Sequence, residues 1–202
     1  MASPEGAARE VLVQTCRRLD RQGLAPARSG NVSMALGDRI LITATGTTLG
    51  LIQPQEIAVV DRQGKILSPI PPSSELPLHL ALHRLVDRGV AAVVHTHSPY
   101  ATALSYVGKQ LPLVSEEGLR TLQEVPVLPY RPPGSQDLAE VAQAAAAEGY
   151  RAFLLERHGV VTWGRSLAEA AYLAELVEAE ARLGYLIRGW EGGLGHGGSH
   201  HP

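Results

Sequence analysis

The chain has 202 residues, of which 45% are apolar and 19% charged, and its formal net charge is −2. These values describe one well-buried globular domain and leave no electrostatic footprint for nucleic acid or an anionic membrane surface. No window approaches the roughly 18 continuous apolar residues of a spanning helix, the N-terminus lacks a signal-peptide pattern, and the single cysteine, Cys16, excludes an internal disulfide, so a reducing, cytoplasmic setting is expected.

In chain order, residues 5–22 read as an amphipathic helix with Val11, Leu12, Thr15, Cys16 and Leu19 on one face and Gly23 at its end. Cys16 is thereby a packed core thiol. Two strand-like runs, RSGNVSMAL and DRILITATG, meet at Gly37-Asp38, a hairpin signal. A third strand is expected at residues 57–61, then a proline-rich loop through residue 74. Ser74 has the chemistry of an N-cap for a helix that carries Pro77 in its first turn and ends at Gly89.

Residues 91–95 form an apolar strand, and 98–106 begin another helix. Residues 128–133 are a short extended run and loop. An alanine-rich helix follows at 135–149, then strands at 152–156 and 160–163. The last helix spans 166–184, with Ser166 and Glu169 as a capping box. This order predicts an α/β single domain over residues 1–188, with a central mixed, largely antiparallel β-sheet flanked by helices. Residues 189–202 form a glycine- and histidine-rich tail expected to be disordered. Asn31 is the only asparagine, and this scarcity of thermolabile residues fits a thermophile, although biased codon usage would look similar.

Eight histidines are present. His95 and His97 close a strand two residues apart, so both rings point to one side of the sheet. His158 ends a second apolar strand at a His-Gly turn. Three neutral imidazoles and one carboxylate make a good zinc environment, and Glu75 is the candidate carboxylate. His79 and His83 stand one helical turn apart, but leucine occupies the place where a zincin helix needs glutamate, so they read as helix packing and capping. His196, His200 and His201 lie in the tail, which cannot preorganise a site.

Three segments have the chemistry of a phosphate cradle. Ser29-Gly30-Asn31-Val32-Ser33 and Ala44-Thr45-Gly46-Thr47-Thr48 each combine a glycine turn with side-chain donors. Pro72-Ser73-Ser74-Glu75 sets two hydroxyls at a helix N-terminus, where the dipole favours anions. Each alone also reads as an ordinary turn or cap.

The ordered set SGNVS, TATG, PSSE, VVHTHS and ERHG, spanning roughly residues 8–185, resembles the class II aldolase/adducin-head family and within it the fuculose-phosphate aldolase branch. The resemblance implies that Glu75, His95, His97 and His158 bind Zn2+, and that Gly30, Asn31, Thr45, Gly46, Ser73 and Ser74 hold the substrate phosphate. It also implies that Glu75 moves a proton, and that a nine-stranded sheet assembles into a homotetramer with active sites near subunit interfaces. The implied reaction is cleavage of a ketose 1-phosphate to dihydroxyacetone phosphate and an aldehyde such as L-lactaldehyde.

The sequence departs from that branch in one place. Where a neighbouring subunit would supply a tyrosine, near residue 116, it carries Glu116 and Glu117. The segment Glu117-Gly118-Leu119-Arg120-Thr121-Leu122 approaches the E-x-x-K-x-L pattern of methylthioribulose-1-phosphate dehydratase. A dehydratase or epimerase thus stands beside the aldolase, and a solvated acidic turn beside a catalytic pair. Tyr130 is another source of a hydroxyl. A non-catalytic adducin-like interaction domain is disfavoured by retention of all four ligand candidates.

Overall fold

Alternation of side chains along the strands decides where each helix packs. The computed structural model describes residues 3–194. Its elements are α1 (Pro4–Arg21), β1 (Asn31–Leu36), β2 (Arg39–Thr43), β3 (Ile57–Asp61), α2 (Leu76–His83), β4 (Ala92–Thr96), α3 (Pro99–Leu104), α4 (Glu116–Leu122), β5 (Val127–Leu128), α5 (Gln136–Glu148), β6 (Ala152–Leu155), β7 (Gly159–Gly164) and α6 (Leu167–Leu194). The strands form one mixed sheet in the order β3-β2-β1-β4-β7-β6-β5. Only β5 and β6 pair in parallel. Seven strands are found among the described residues, not the nine implied by the resemblance.

On β1, Val32, Met34 and Leu36 pack with Ala92 and Val94 of β4 against α1 and the first turns of α6. The intervening residues face the other way, where Val93, Val161 and Trp163 pack against α2 and α5. Further along, Leu154 and Val160 pack on α3, α4 and the middle of α6. Asn31, Ser33 and His95 alternate with the first set, so they belong to the α2 side of the sheet. Cys16 is fully buried, and burial raises its pKa. It is an inert core thiol, as its place on the α1 face suggests.

Three expectations change. α2 begins one residue late, with Glu75 rather than Ser74 at the N-cap and no side-chain cap bond. The cause is that the chain before it stays extended: Ala44 bridges Pro72, and the Ser73 amide donates to the Thr43 carbonyl at 3.0 Å. α2 also stops at His83. Leu85 turns into the core shared with α5, and Gly89 ends a separate 3-10 turn, Val86–Arg88. Finally, the segment around Glu116 and Glu117 is a helix, started by Ser115, whose side chain accepts from the Gly118 amide. Glycine inside so short a helix hides its signal in the sequence.

α6 extends beyond residue 188 to Leu194. The rest of the expected tail, including His196, His200 and His201, lies outside the described residues.

Two carboxylates of α6 tie the loops after β4 to the body of the fold. Glu178 accepts from the Tyr100 and Ala101 amides at 3.0 and 2.9 Å, at the start of α3 and just past His97. Glu180 is buried and accepts from the Val114 and Ser115 amides at 2.6 and 3.1 Å and from the Ser115 hydroxyl. Gly118 leaves room for this carboxylate: a Cβ would come within 2.4 Å of the Glu180 carboxyl carbon and push the group away from its donors. Removing such a buried acceptor strands its donors, and hydrogen bonds to a charged group contribute about 1.5–3 kcal/mol each. Glu180→Ala is therefore expected to lower stability by about 3 kcal/mol in urea unfolding. A loss below about 1 kcal/mol would remove Glu180 as the anchor of α4.

Candidate functional site

Antiparallel pairing brings the ends of β1, β2, β4, β6 and β7 to one edge of the sheet. Asn31 lies opposite His95, Thr96 opposite Val160, and Leu155 opposite Gly159. One cleft of about 260 Å³ opens at that edge. Its lining contains Gly30, Asn31, Thr45, Gly46, Ser73, Ser74, Glu75, His95, His97 and His158, so all ten of these sequence candidates share one space. Glu116, Glu117 and Tyr130 do not line it. Glu117 accepts from the Tyr172 hydroxyl on α6, and Tyr130 is exposed with its amide on Glu156.

The three cleft histidines converge. Their ring centroids are 4.7–5.1 Å apart, and one nitrogen from each lies within 4.8 Å of the others. His95 is fixed by its Nδ1, 2.9 Å from the Val160 carbonyl oxygen. A carbonyl only accepts, so the proton sits on Nδ1 and the Nε2 lone pair is free for a cation. That Nε2 is 3.0 Å from Nε2 of His97. His158 is delivered by a tight turn in which its amide donates to the Leu155 carbonyl and Arg157 takes φ +58°. Such a conformation is uncommon for a residue with a side chain and marks a turn held in place by its surroundings. Gly159 is then obligatory: a Cβ would meet the Thr96 carbonyl oxygen at 2.3 Å and the His95 and His97 rings at 3.2 Å.

Glu75 is buried, with Oε1 3.8 Å from Nε2 of His158. The loop at residues 131–134 covers it: Pro133 lines the cleft, and the Gly134 backbone donates to its carboxyl group. Burial raises the Glu75 pKa against that hydrogen bond, so the group is biased toward carrying a proton. Burial lowers all three cleft histidines, His158 to about 4, with their neighbouring imidazoles adding to the effect at His95 and His158. They are neutral at physiological pH, the state a metal needs. Glu75 Oε2 and His158 Nδ1 are buried without a hydrogen-bond partner. Converging neutral nitrogens, an oriented His95 and an orphaned carboxylate oxygen fit a divalent cation that prefers nitrogen and oxygen donors.

The other half of the cleft is a cradle of donors. Gly30 (φ +79°) brings its backbone against the strand of His95; a Cβ there would be 2.9 Å from the His95 carbonyl oxygen. Gly46 turns the second loop at φ +73°, and Ser73 and Ser74 lie just ahead of α2. The Glu75 and Leu76 amides are already held by the Ser73 hydroxyl and carbonyl at 3.2 and 3.0 Å, so the hydroxyls and the positive end of the helix dipole are what this side offers an anion. Arg28, exposed at the cleft rim, adds a positive charge. Sequence reasoning missed Arg28 and the covering loop, although Arg28 directly precedes SGNVS and Pro132-Pro133-Gly134 is a turn signal.

His79 and His83 sit behind this wall, both buried and each hydrogen-bonded to Ser33. Burial, and then the neighbouring His83, lower His79 to about 3; burial, and then Arg62, lower His83 to about 4. An unfolded chain protonates these rings below about pH 6.5 while the fold does not. Stability is therefore full above that pH and falls as pH drops toward the folded values. Glutamine can replace the His83 ring nitrogen without titrating. In metal-free protein, the loss of unfolding free energy between pH 7 and 5 is expected to be about 2 kcal/mol smaller for His83→Gln than for wild type. Equal losses would show that His83 does not resist protonation.

Relatives are recognisable over most of the chain. Residues 10–185 match the Class II Aldolase and Adducin N-terminal domain. An L-fuculose phosphate aldolase from Methanococcus maripaludis is 35% identical over 175 residues, covering 87% of this chain and 94% of that protein. A 3-oxo-tetronate 4-phosphate decarboxylase from Haemophilus influenzae is 35% identical over 189 residues, covering 91% of this chain and 89% of that one. The crystal structure of YgbL from Klebsiella pneumoniae, a candidate aldolase/epimerase/decarboxylase, superposes with a TM-score of 0.84 at 35% identity over 92% of each chain.

Proposed function

The chain belongs to the class II aldolase and adducin N-terminal domain family, and from that premise we propose that it is a zinc-dependent lyase. In this reading it cleaves a ketose 1-phosphate of the L-fuculose-1-phosphate type to dihydroxyacetone phosphate and an aldehyde such as L-lactaldehyde. The observation that carries the reading is the meeting, in one cleft, of three neutral histidines and a buried glutamate with a cradle of hydroxyls, amides and Arg28. A phosphorylated ketose presents the matching pair of groups: an anion at one end and a polarisable carbonyl a short distance away.

In this mechanism His95, His97, His158 and Glu75 would hold zinc, which when bound would supply a Lewis acid for the substrate carbonyl. Gly30, Asn31, Thr45, Gly46, Ser73 and Ser74 grip the phosphate and fix the ketone's distance from the histidines. The bond between the carbon next to the ketone and its outer neighbour breaks, and its electron pair moves toward the ketone oxygen. That carbon then takes up a proton. Glu75 is the donor we assign, at a stage when it does not hold the metal and burial favours its protonated form. The hydroxyl proton of the departing half needs a base, and the cleft lining contains no tyrosine among the described residues. Glu116 or Glu117 of a neighbouring subunit is the group we assign to that step, in a cytoplasmic homotetramer. An exposed apolar groove between α3 and α6, lined by Tyr100, Leu104, Val107 and Tyr185, supports a covered face on each copy.

The absence of a cleft tyrosine also favours a second reading. Decarboxylation of a 3-oxo acid carrying a terminal phosphate leaves the same electron pair beside the same ketone. Carbon dioxide departs without surrendering a hydroxyl proton, so no extra base is needed. The relative of Haemophilus influenzae bears the name of that reaction.

Zinc-loaded protein offered L-fuculose 1-phosphate, 3-oxo-tetronate 4-phosphate and methylthioribulose 1-phosphate separates the readings. Dihydroxyacetone phosphate together with L-lactaldehyde is expected from the first. Turnover of only the second, with release of carbon dioxide, would move the assignment to the decarboxylase. Loss of water without triose phosphate would sink carbon–carbon cleavage altogether. For the metal, His97→Ala and His158→Ala are each expected to lose stoichiometric zinc by elemental analysis while circular dichroism stays native. Full zinc occupancy in both would refute the ligand set.

A further inference from the structure

Behind the anion cradle runs a buried file of four polar side chains. Asn31 Oδ1 lies 2.5 Å from Nε2 of His79, and Nδ1 of His79 lies 2.6 Å from the Ser33 hydroxyl oxygen. That oxygen is 2.8 Å from Nε2 of His83, whose Nδ1 is buried without a partner. His79 and Ser33 have no exposed surface, so neither touches anything in the cleft. We propose that His79 and Ser33 are positioning residues that turn the Asn31 amide so that its N–H end faces the cleft, making Asn31 a donor to the substrate phosphate. This rests on the phosphate reading of the cleft given above.

With neutral rings, two proton arrangements satisfy every contact in the file and give the Ser33 hydroxyl an acceptor; a third, in which both rings donate to the Ser33 oxygen, strands its buried O–H and is disfavoured. In the outward one, His83 Nε2–H donates to Ser33, and the Ser33 hydroxyl donates to Nδ1 of His79. His79 Nε2–H then donates to Asn31 Oδ1. In the inward one, each hydrogen bond reverses: the Asn31 amide donates to His79, His79 Nδ1–H donates to Ser33, and Ser33 donates to His83. The inward arrangement turns Oδ1 of Asn31 toward the cleft, where it would repel an anion.

The far end of the file decides between them. The outward arrangement leaves His83 Nδ1 as a bare lone pair, and the inward one leaves it as a buried N–H with no acceptor. Orphaned buried N–H groups are the rarer defect. Arg62 adds to this preference: its guanidinium Nη1 reaches the His83 carbonyl oxygen at 3.4 Å and lowers the pKa of that ring. A nearby cation favours a lone pair over a polarised N–H. One turn of α2 thus sets the polarity of a group on β1. This is what the His79/His83 pair, read from the sequence as packing, does.

The primary test is direct and needs no turnover. Long-range proton–nitrogen NMR of histidine-labelled protein is expected to find His79 neutral with its proton on Nε2; a proton on Nδ1 would overturn the proposal. The second test titrates inorganic phosphate. Ser33→Ala frees the His79 tautomer and is expected to weaken phosphate binding roughly ten- to a hundredfold, the span of one hydrogen bond to a charged group. KM for a phosphorylated substrate should rise in parallel, with kcat and zinc content near wild type. His79→Gln, whose amide can place a donor where Nε2 stood, should retain phosphate affinity, while His79→Leu should lose it. Ser33→Ala carries the test even where His79→Leu fails to fold. Wild-type phosphate affinity in Ser33→Ala would overturn the proposal. A wild-type protein with no affinity for phosphate would instead bring down the reading of the cleft, whatever the His79 tautomer.

Discussion

The hydrogen bond from His95 Nδ1 to the Val160 carbonyl is the contact on which the site depends. It exists because β4 and β7 pair antiparallel in a register that sets Thr96 opposite Val160. A slip of one residue would send every side chain of β4 to the opposite face, placing His95 on the α1 side and Val94 in the cleft. The same register lets Gly159 lie flat against Thr96, which keeps open the space the rings of His95 and His97 occupy. On the other flank, β1 sets Asn31 against His95. Asn31 and His95, one from each half of the cleft, are thus neighbours on adjacent strands at a separation fixed by inter-strand spacing, while turns carry most of the other groups.

Burial gives these groups their chemistry. Desolvation pushes the histidines down and Glu75 up. Each shift favours the uncharged form, which suits the histidines as ligands and Glu75 as a proton donor, whereas a bound cation would return Glu75 to its carboxylate. Such a cluster is costly without a cation, since Glu75 Oε2 and His158 Nδ1 are left without partners. Each stranded buried polar atom costs about 1–3 kcal/mol. The fold tolerates this because the surrounding core is apolar and closely packed on both faces of the sheet.

Much of this was legible in the sequence, for identifiable reasons. Strand alternation placed His95 and His97 on one side, and the glycines of SGNVS, TATG and ERHG marked the turns that form the cleft. The start of α2 was harder to place. Ser74 has the chemistry of an N-cap, but the pairing of residues 72–73 with β2 is a long-range effect that no local pattern encodes. α4 was missed because Gly118 weakens its helical signal, and the reason for that glycine, the Glu180 carboxylate, lies 62 residues further along the chain. The roles of His79 and His83 were hidden similarly: the i, i+4 spacing is visible, but Ser33 between the two rings is not.

Aldol cleavage and decarboxylation impose the same demands on this cleft up to the moment the bond breaks. Both need a held phosphate, a polarised ketone and a proton returned to the adjacent carbon, and the groups we assign to these tasks lie within one chain. They differ only in what leaves. An aldehyde leaves after its hydroxyl surrenders a proton, and carbon dioxide leaves as it is. The residue that distinguishes the reactions must therefore approach the far end of the substrate, away from the phosphate. Among the described residues, the cleft lining holds no acid or base beyond Glu75 and the histidines. Reaction choice is thus the property least determined by the single chain. A shared cleft of this kind accounts for relatives of equal similarity bearing the names of two different lyases.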